Sequence, residues 1–365
     1  RCRSCRVMSV IIKEMHYCLA PGKLTNEDLE QTFDAKQLRS ITKMAGIQSR
    51  RVVAEGMTAS DMAVVAAKRL FAEGHTQPSD IDLLVFVTQT PDFQIPATAC
   101  DLHGRLGLRQ ECGAFDINLG CSAFPYSLAV VSSMLEVGLV DTVLLFNADA
   151  VTSVLNRKDR SLTPLHGDGA AVSVLARAES AGGFDGFLMG TDGSNSQEIT
   201  IPASGMRMPR SEATKQEHQD ESGSVRNQEQ LCMNGPAVFH FSVDKIPGAI
   251  KSYLAEQKLT IEDVDLVLLH QANKTMVNLI YRALEVPKDK RFYFMEEVGN
   301  LAGASTPVLL AEAWRSGRIK AGQRILMASF GNGLSWGVTS LVWPSEIPPA
   351  SQASVEYDTN LTKQI

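Results

Sequence analysis

No apolar run in this sequence approaches the ~18 residues that a membrane-spanning helix needs. The longest candidates are short pieces such as Leu83–Val87 and Val143–Phe146, so we read no membrane span. Positive charge is not in excess either. Lys and Arg number 35 against 41 Asp and Glu, a formal net charge of −6, which is the wrong sign for a body that condenses onto nucleic acid phosphates. An anionic partner must then be met by a local basic patch. Behind the basic start Arg1–Arg6 there is no apolar core of a signal peptide, because Ile11 and Ile12 run straight into Lys13 and Glu14. We expect no secretion signal, with Met8 a candidate initiator. The seven cysteines are odd in number and scattered (Cys2, Cys5, Cys18, Cys100, Cys112, Cys121, Cys232), unlike a disulfide framework, which fits a reducing cytoplasm. Cys2-x-x-Cys5 lacks the second pair that a zinc site requires. HExxH, Walker and EF-hand patterns are missing, and GNGLSWG lacks the GxGxxG spacing. We therefore expect no metal and no nucleotide chemistry.

What is present is an ordinary globular composition, 44% hydrophobic and 21% charged over 365 residues. At ~100 to 200 residues per domain this length allows two core-bearing units. An apolar, β-rich run behind an acidic turn occurs twice, SDIDLLVFVTQT ending at Thr90 and DVDLVLLHQAN at Asp263–Asn273; Asp82 and Asp265 are 183 residues apart. The runs Val143–Phe146 and Ile325–Ala328 repeat at 182 residues. Two matches at nearly one offset suggest an internal repeat, although any α/β protein contains similar buried strands. Ser60–Glu73, Ser122–Val137, Val243–Gln257 and Thr275–Leu284 carry helical periodicity between these strands. Alternation of this kind implies βαβ units and parallel sheets covered on both faces. Ser194–Gln230 is polar without a period and is expected to be a surface excursion. The Pro-rich segment from Pro344 to Ile365 is expected to be a loosely held tail.

Four places carry candidate chemistry. Cys121 sits in GAFDINLGCSAFPYSLAVVSSML, a strand, a glycine turn and a helix that tolerates Pro125 in its first turn. A thiol at a helix N-terminus meets free amides and a positive dipole end, which favours thiolate; the competing reading is an inert buried cysteine. His270 ends the apolar run Val264–Leu269, where α/β folds place their clefts. Asn300 lies in the glycine turn EEVGNLAGASTP, where left-handed backbone tolerance is an equally good reason for an asparagine. SFGNGLSWG, Ser329–Gly337, could aim backbone amides at an oxyanion or be a plain turn. A cysteine, a histidine and an asparagine also form the set of a papain-like hydrolase, but that family's local signature is absent.

LGCSAF around Cys121, LHQANK around His270, VGN at Val298–Asn300 and FGNGLSWG at Phe330–Gly337 resemble the β-ketoacyl-acyl-carrier-protein synthase III family of the thiolase superfamily. KMAGIQSRRV, GDGAAV at Gly167–Val172 and GRIKAGQ at Gly317–Gln323 extend the resemblance from about Leu24 to Trp343. The resemblance implies an α/β, thiolase-like, five-layered αβαβα fold of two pseudo-symmetric halves, 8–178 and 179–343, and a homodimer. It implies that Cys121 accepts an acyl group from a thioester, and that His270 and Asn300 decarboxylate a malonyl thioester whose carbanion attacks the acyl-cysteine. By the same resemblance the amides of Cys121 and Asn332 form an oxyanion hole, Ile95, Val151, Arg160, His166, Phe239, Phe330 and Gly331 line the substrate path, and Gln271, Lys274, Thr275 and Arg282 dock the carrier. The substrates are then coenzyme A or acyl-carrier-protein phosphopantetheine thioesters, with no cofactor. Several departures stand out. The family's adenine-clamping tryptophan and arginine fall on Ser40 and Met44, its carrier-docking arginine on Thr275, a tunnel phenylalanine on His166 and the partner-loop phenylalanine on Ile95. They point to a specialised enzyme acting on a longer or more polar acyl group. Two other readings remain at this stage: an acyltransferase that delivers to a hydroxyl or amine, and a non-catalytic partner that binds acyl carriers.

Overall fold

A computed structural model describes residues 9–178 and 182–344, and 354–356 as backbone only. Cys2, Cys5, Met8 and most of the expected tail lie outside the described residues. In chain order the first sheet takes β1 (Ser9–Leu19), β4 (Leu83–Val87), β5 (Gly113–Ile117), β6 (Thr142–Asp149) and β7 (Gly169–Ala178), with β2 (Gly22–Thr25) and β3 (Ser49–Val52) forming a separate hairpin-like pair. Its helices are α1 (Asn26–Leu29), α2 (Ala35–Ala45), α3 (Ala59–Glu73), α4 (Thr98–Arg105) and α5 (Ala123–Glu136). The second sheet takes β8 (Gly183–Thr191), β13 (Leu266–Leu269), β14 (Arg324–Gly331) and β15 (Ser335–Val342), after the short strands β9 (Ile199–Thr200), β10 (His218–Gln219), β11 (Val225–Arg226) and β12 (Cys232–Met233). Helices α6 (Gly235–Glu256), α7 (Lys274–Ala283) and α8 (Ser305–Arg315) accompany it, and β16 (Ser354–Glu356) runs parallel to β1.

Strand order is β16-β1-β7-β6-β4-β5 in one sheet and β13-β14-β15-β8 in the other. Read from β4 and from β13, the two orders correspond, and Leu83 and Leu266 begin equivalent strands at the 183-residue offset. The sheets are mixed rather than parallel as the alternation suggested. β6 lies parallel to β4 but antiparallel to β7, and β14 parallel to β13 but antiparallel to β15. The reason is local: β14 and β15 are joined only by Asn332–Leu334, too short for a crossover, so they must pair antiparallel.

The two sheets sandwich α5 and α8, which touch strands of both. Both helices are apolar nearly all round, α8 having every residue from Ser305 to Trp314 buried, as a helix in a central layer must be. α3 and α4 cover the outer face of the first sheet, and α6 and α7 that of the second. The result is a five-layered αβαβα stack. Its central core is common to both sheets, with Leu83, Val85, Phe124 and Leu128 in one cluster with Leu266, Leu309, Ile325 and Met327. A polar tie crosses the same layer. The Tyr17 hydroxyl of β1 donates to Glu312 of α8 at 2.7 Å, and Arg315 clasps that carboxylate through two further bonds of 2.7 Å.

A hydrogen bond to a buried, charged acceptor contributes about 1.5 to 3 kcal/mol. Tyr17→Phe should therefore lower unfolding free energy by about that amount, read as a lower urea midpoint at unchanged slope. An unchanged midpoint would show that the tie across the central layer carries no stability.

Candidate active site

Cys121 follows the turn after β5 and precedes α5 by two residues. Two close approaches hold it there. A Cβ on Gly331 would lie 2.5 Å from the Cys121 Cβ and 3.1 Å from its Sγ, so the end of β14 can sit against the thiol only as glycine. Ser122 and Ser335 hydroxyls meet at 2.7 Å and pin the start of α5 to β15. The backbone N–H groups of Cys121 and Asn332 donate towards the sulfur. They do not win the balance that the helix N-terminus suggested. Burial first, and the nearby Asp149 second, push the Cys121 thiol up to about 12, so the resting residue is a thiol and not a thiolate.

His270 stands at the carboxyl end of β13, where its N–H donates to the Ala328 carbonyl at 2.9 Å. Its ring packs edge-on against Phe330, centroids 5.6 Å apart. Burial, then the neighbouring His166, lower its pKa to about 3, which makes a neutral imidazole. Nδ1 is sealed in protein with no partner among the described residues, leaving Nε2 as the nitrogen available to the cavity.

Asn300 is not needed for backbone reasons. The positive φ of its turn, +83°, belongs to Gly299, just as Gly333 and not Asn332 takes the positive φ of the FGNG turn. The Asn300 backbone bridges His166, its N–H donating to Leu165 O at 2.8 Å and its carbonyl accepting from Gly167 N at 3.0 Å. Its Oδ1 accepts from Ala302 N at 3.0 Å, so the side-chain NH2 is the group left to donate into the cavity.

These three turns open onto one cavity of about 830 Å³. Val151, Arg160, His166, Phe239, Phe330, Gly331 and Asn332 line it. Ile95 does not; it is 89% exposed in a loop outside this cavity. Gln271 is a correction. It is buried, its NH2 donating to Leu269 O at 2.8 Å and its Oε1 accepting from Phe294 N at 3.2 Å, because the strand end needs those backbone groups satisfied. It frames β13 and cannot meet a carrier. Thr275 likewise ties α7 to α2 by donating to Met44 O at 2.7 Å, whereas Lys274 and Arg282 are exposed. Arg160 donates to Gln37 at 2.7 Å. The polar excursion Ser194–Gln230 is more than surface, since its Ile199 and Ile201, with Leu231 and Met233 just after it, wall the cavity.

Residues that motif reading passed over also build the site. Asp149, at the end of β6, accepts from Gln89 N at 2.8 Å and from Gly303 N at 2.9 Å, joining the loop after β4 to the turn before α8; burial raises its pKa to about 6. Gln89, at the end of β4, accepts from the Asn332 amide and so fixes the FGNG turn. Both end buried strands, and that position alone was the available signal. Buried Arg50 holds the ledge before His166 by donating to Pro164 O at 2.9 Å. Among the described residues no group of side chains is arranged to hold a metal ion.

The set comprises a protonated thiol, a neutral imidazole, a side-chain amide donor and two converging backbone amides. It can perform nucleophilic acyl transfer and stabilise a developing oxyanion. Residues 115–193 match the family model of 3-oxoacyl-acyl-carrier-protein synthase III, and 254–343 that of its C-terminal part. The chain is 36% identical over 320 residues to a β-ketoacyl-acyl-carrier-protein synthase III of Caldanaerobacter subterraneus subsp. tengcongensis, covering 88% of this chain and 93% of that protein. It is 34% identical over 333 residues to synthase III 3 of Streptomyces coelicolor, covering 91% and 96%. Among solved structures, a 3-oxoacyl-acyl-carrier-protein synthase III superposes with TM-score 0.87 at 34% identity over 92% of this chain and 99% of that one. A priming β-ketosynthase of the R1128 polyketide pathway superposes with TM-score 0.81 at 27% identity over 93% and 97%.

With the thiol raised to about 12, alkylation of Cys121 by iodoacetamide should accelerate with pH about tenfold per unit through pH 9 and show no plateau. Peptide-mapped rates between pH 6 and 10 test this. A plateau below pH 8 would mean that the amides outweigh burial.

Proposed function

The chain belongs to the 3-oxoacyl-acyl-carrier-protein synthase III family and is an acyltransferase of the condensing type, and we propose that Cys121, His270 and Asn300 carry its reaction. The observation that carries the assignment is their convergence, from three separate turns, on one cavity. On this reading the reaction has two halves. Cys121 Sγ attacks the carbonyl of an acyl thioester and gives up its proton. The tetrahedral oxyanion falls to the amides of Cys121 and Asn332, and the coenzyme A or carrier thiol leaves with the proton. A malonyl thioester then loses carbon dioxide. The enolate oxygen is held by His270 Nε2–H and the Asn300 NH2, and the carbanion attacks the acyl-cysteine to give a β-ketoacyl thioester, expelling the Cys121 thiolate, which takes a proton from solvent to restore the resting thiol. Neutral donors suit this step because they stabilise the enolate without quenching the carbanion. A Cys121 held as thiol until a thioester arrives is also protected from adventitious oxidation.

The halves 8–178 and 179–343 are read as one unit each, built around equivalent sheets. The exposed loop bearing Phe93 and Ile95, 52% and 89% accessible, supports a homodimer in which a second copy covers it. Exposed Lys274 and Arg282 at the cavity mouth and along α7 support docking of an acidic carrier protein. Cytoplasmic residence is supported by the unbridged thiols of Cys100, Cys112, Cys121 and Cys232; among the described residues no helix is long and apolar enough to cross a membrane.

Intact-mass measurement after incubation with a panel of acyl-coenzyme A and acyl-carrier-protein donors should show a single acyl adduct on the wild type and none on Cys121→Ala. Cys121→Ser should fail in the same way, since a hydroxyl is a far weaker nucleophile than a thiol and no base stands ready to activate it. An adduct of equal yield on Cys121→Ala removes the assignment. Asn300→Ala should still acylate Cys121 while releasing carbon dioxide from malonyl thioester about 10²-fold more slowly, the usual cost of one lost oxyanion donor. Equal loss of both half-reactions would give Asn300 a structural role only.

A further inference from the structure

His166 is a second histidine on the wall of the cavity that holds Cys121, and the reaction above gives it no task. It is fixed firmly. Its backbone bridges Asn300, and its N–H donates to the Leu162 carbonyl at 3.2 Å. Its ring Nδ1 lies 3.2 Å from the same carbonyl. A carbonyl oxygen only accepts, so Nδ1 carries the hydrogen and, in the neutral ring that burial favours, Nε2 carries the lone pair. Nε2 makes no hydrogen bond within the described residues and is not sealed off from the cavity. It is therefore an acceptor presented to whatever binds there.

The surroundings sharpen this. Val151, Leu155, Leu162 and Ala302, with Leu231 and Met233, form an apolar cluster packed on Cys121. Three of the cavity's hydroxyls spend their hydrogens inside the protein: Ser161 on Asp159, Ser204 on Ile201 O and Ser242 on Val238 O. His166 is thus a fixed polar atom beside the reacting centre, at the rim of an oily pocket. An alkyl primer would press methylenes against Nε2 and leave it without a partner, whereas a hydroxyl would satisfy it.

We propose that His166 selects an acyl primer bearing a hydroxyl close to its thioester carbonyl, with an otherwise apolar tail, the hydroxyl donating to Nε2. The inference rests on the reading of Cys121 as acyl acceptor. Its test compares acylation of Cys121 by paired coenzyme A thioesters, butyryl against 3-hydroxybutyryl and hexanoyl against 3-hydroxyhexanoyl, in both enantiomers, followed by intact mass. In the wild type one hydroxyacyl enantiomer should acylate at least ~10-fold faster in kcat/KM than its alkyl partner, since a site built to bond a hydroxyl rejects the analogue lacking it. His166→Phe should reverse the order, and His166→Gln, which keeps an acceptor, should retain part of it. Equal wild-type rates, or a preference that survives His166→Phe, overturn the proposal while the acyl-acceptor reading stands. If none of these thioesters, nor any donor of the wider panel, acylates Cys121, both fall together.

Discussion

Burying two apolar helices, α5 and α8, between two sheets is the constraint from which the rest of the molecule follows. α5 follows the edge strand β5 and α8 follows a loop whose Arg291 bridges the edge strand β13 in parallel, and both helices enter the central layer from the same end. Their leading turns are thereby brought together. Cys121 precedes α5 and Asn300 precedes α8, and the two residues stand 179 apart, close to the offset of the strands. They lie in corresponding turns of the two halves, one carrying a nucleophile and the other an amide donor. Asp149 joins the turns by accepting from Gly303 in one and holding Gln89 beside the other.

The same burial sets the electrostatics. Water is kept from the convergence point, so charge is expensive there, and each titratable group moves towards its neutral form. The Cys121 thiol rises, His270 falls and Asp149 rises. A site composed of neutral groups suits a chemistry in which negative charge appears on the substrate only transiently. It meets fixed donors where it forms, with no resident ion pair to compete. Cavity shape follows from a different part of the chain. The polar stretch after Ser194 has no place in either sheet, and its Ile199 and Ile201, with Leu231 and Met233 that follow it, form part of the cavity wall.

Much of this was legible in the residues. Buried strands declare themselves by short apolar runs bounded by acidic turns, and their repetition at 183 and 182 residues reported two like halves. Cys121 and His270 were visible because a polar, reactive residue directly after such a run lies where α/β folds open their clefts. Asn300 and Asn332 were harder to judge, since asparagine in a glycine turn has a conformational excuse. The backbone removes it by giving the positive φ to Gly299 and Gly333. Gln271 was misjudged for the converse reason: a glutamine in a polar stretch gives no hint that both ends of its amide are consumed by backbone.

The sequence by itself determined the family, the doubled architecture and the three reactive side chains, because periodicity and local motifs are properties of neighbours along the chain. Only the tertiary structure decided that the thiol is protonated, that the imidazole is neutral, that Gln271 is frame and that His166 offers a lone pair to the cavity. Those properties depend on desolvation and on partners far away in sequence, such as Asp149 for Cys121 and His166 for His270. A linear pattern carries no record of either until the two halves close on each other.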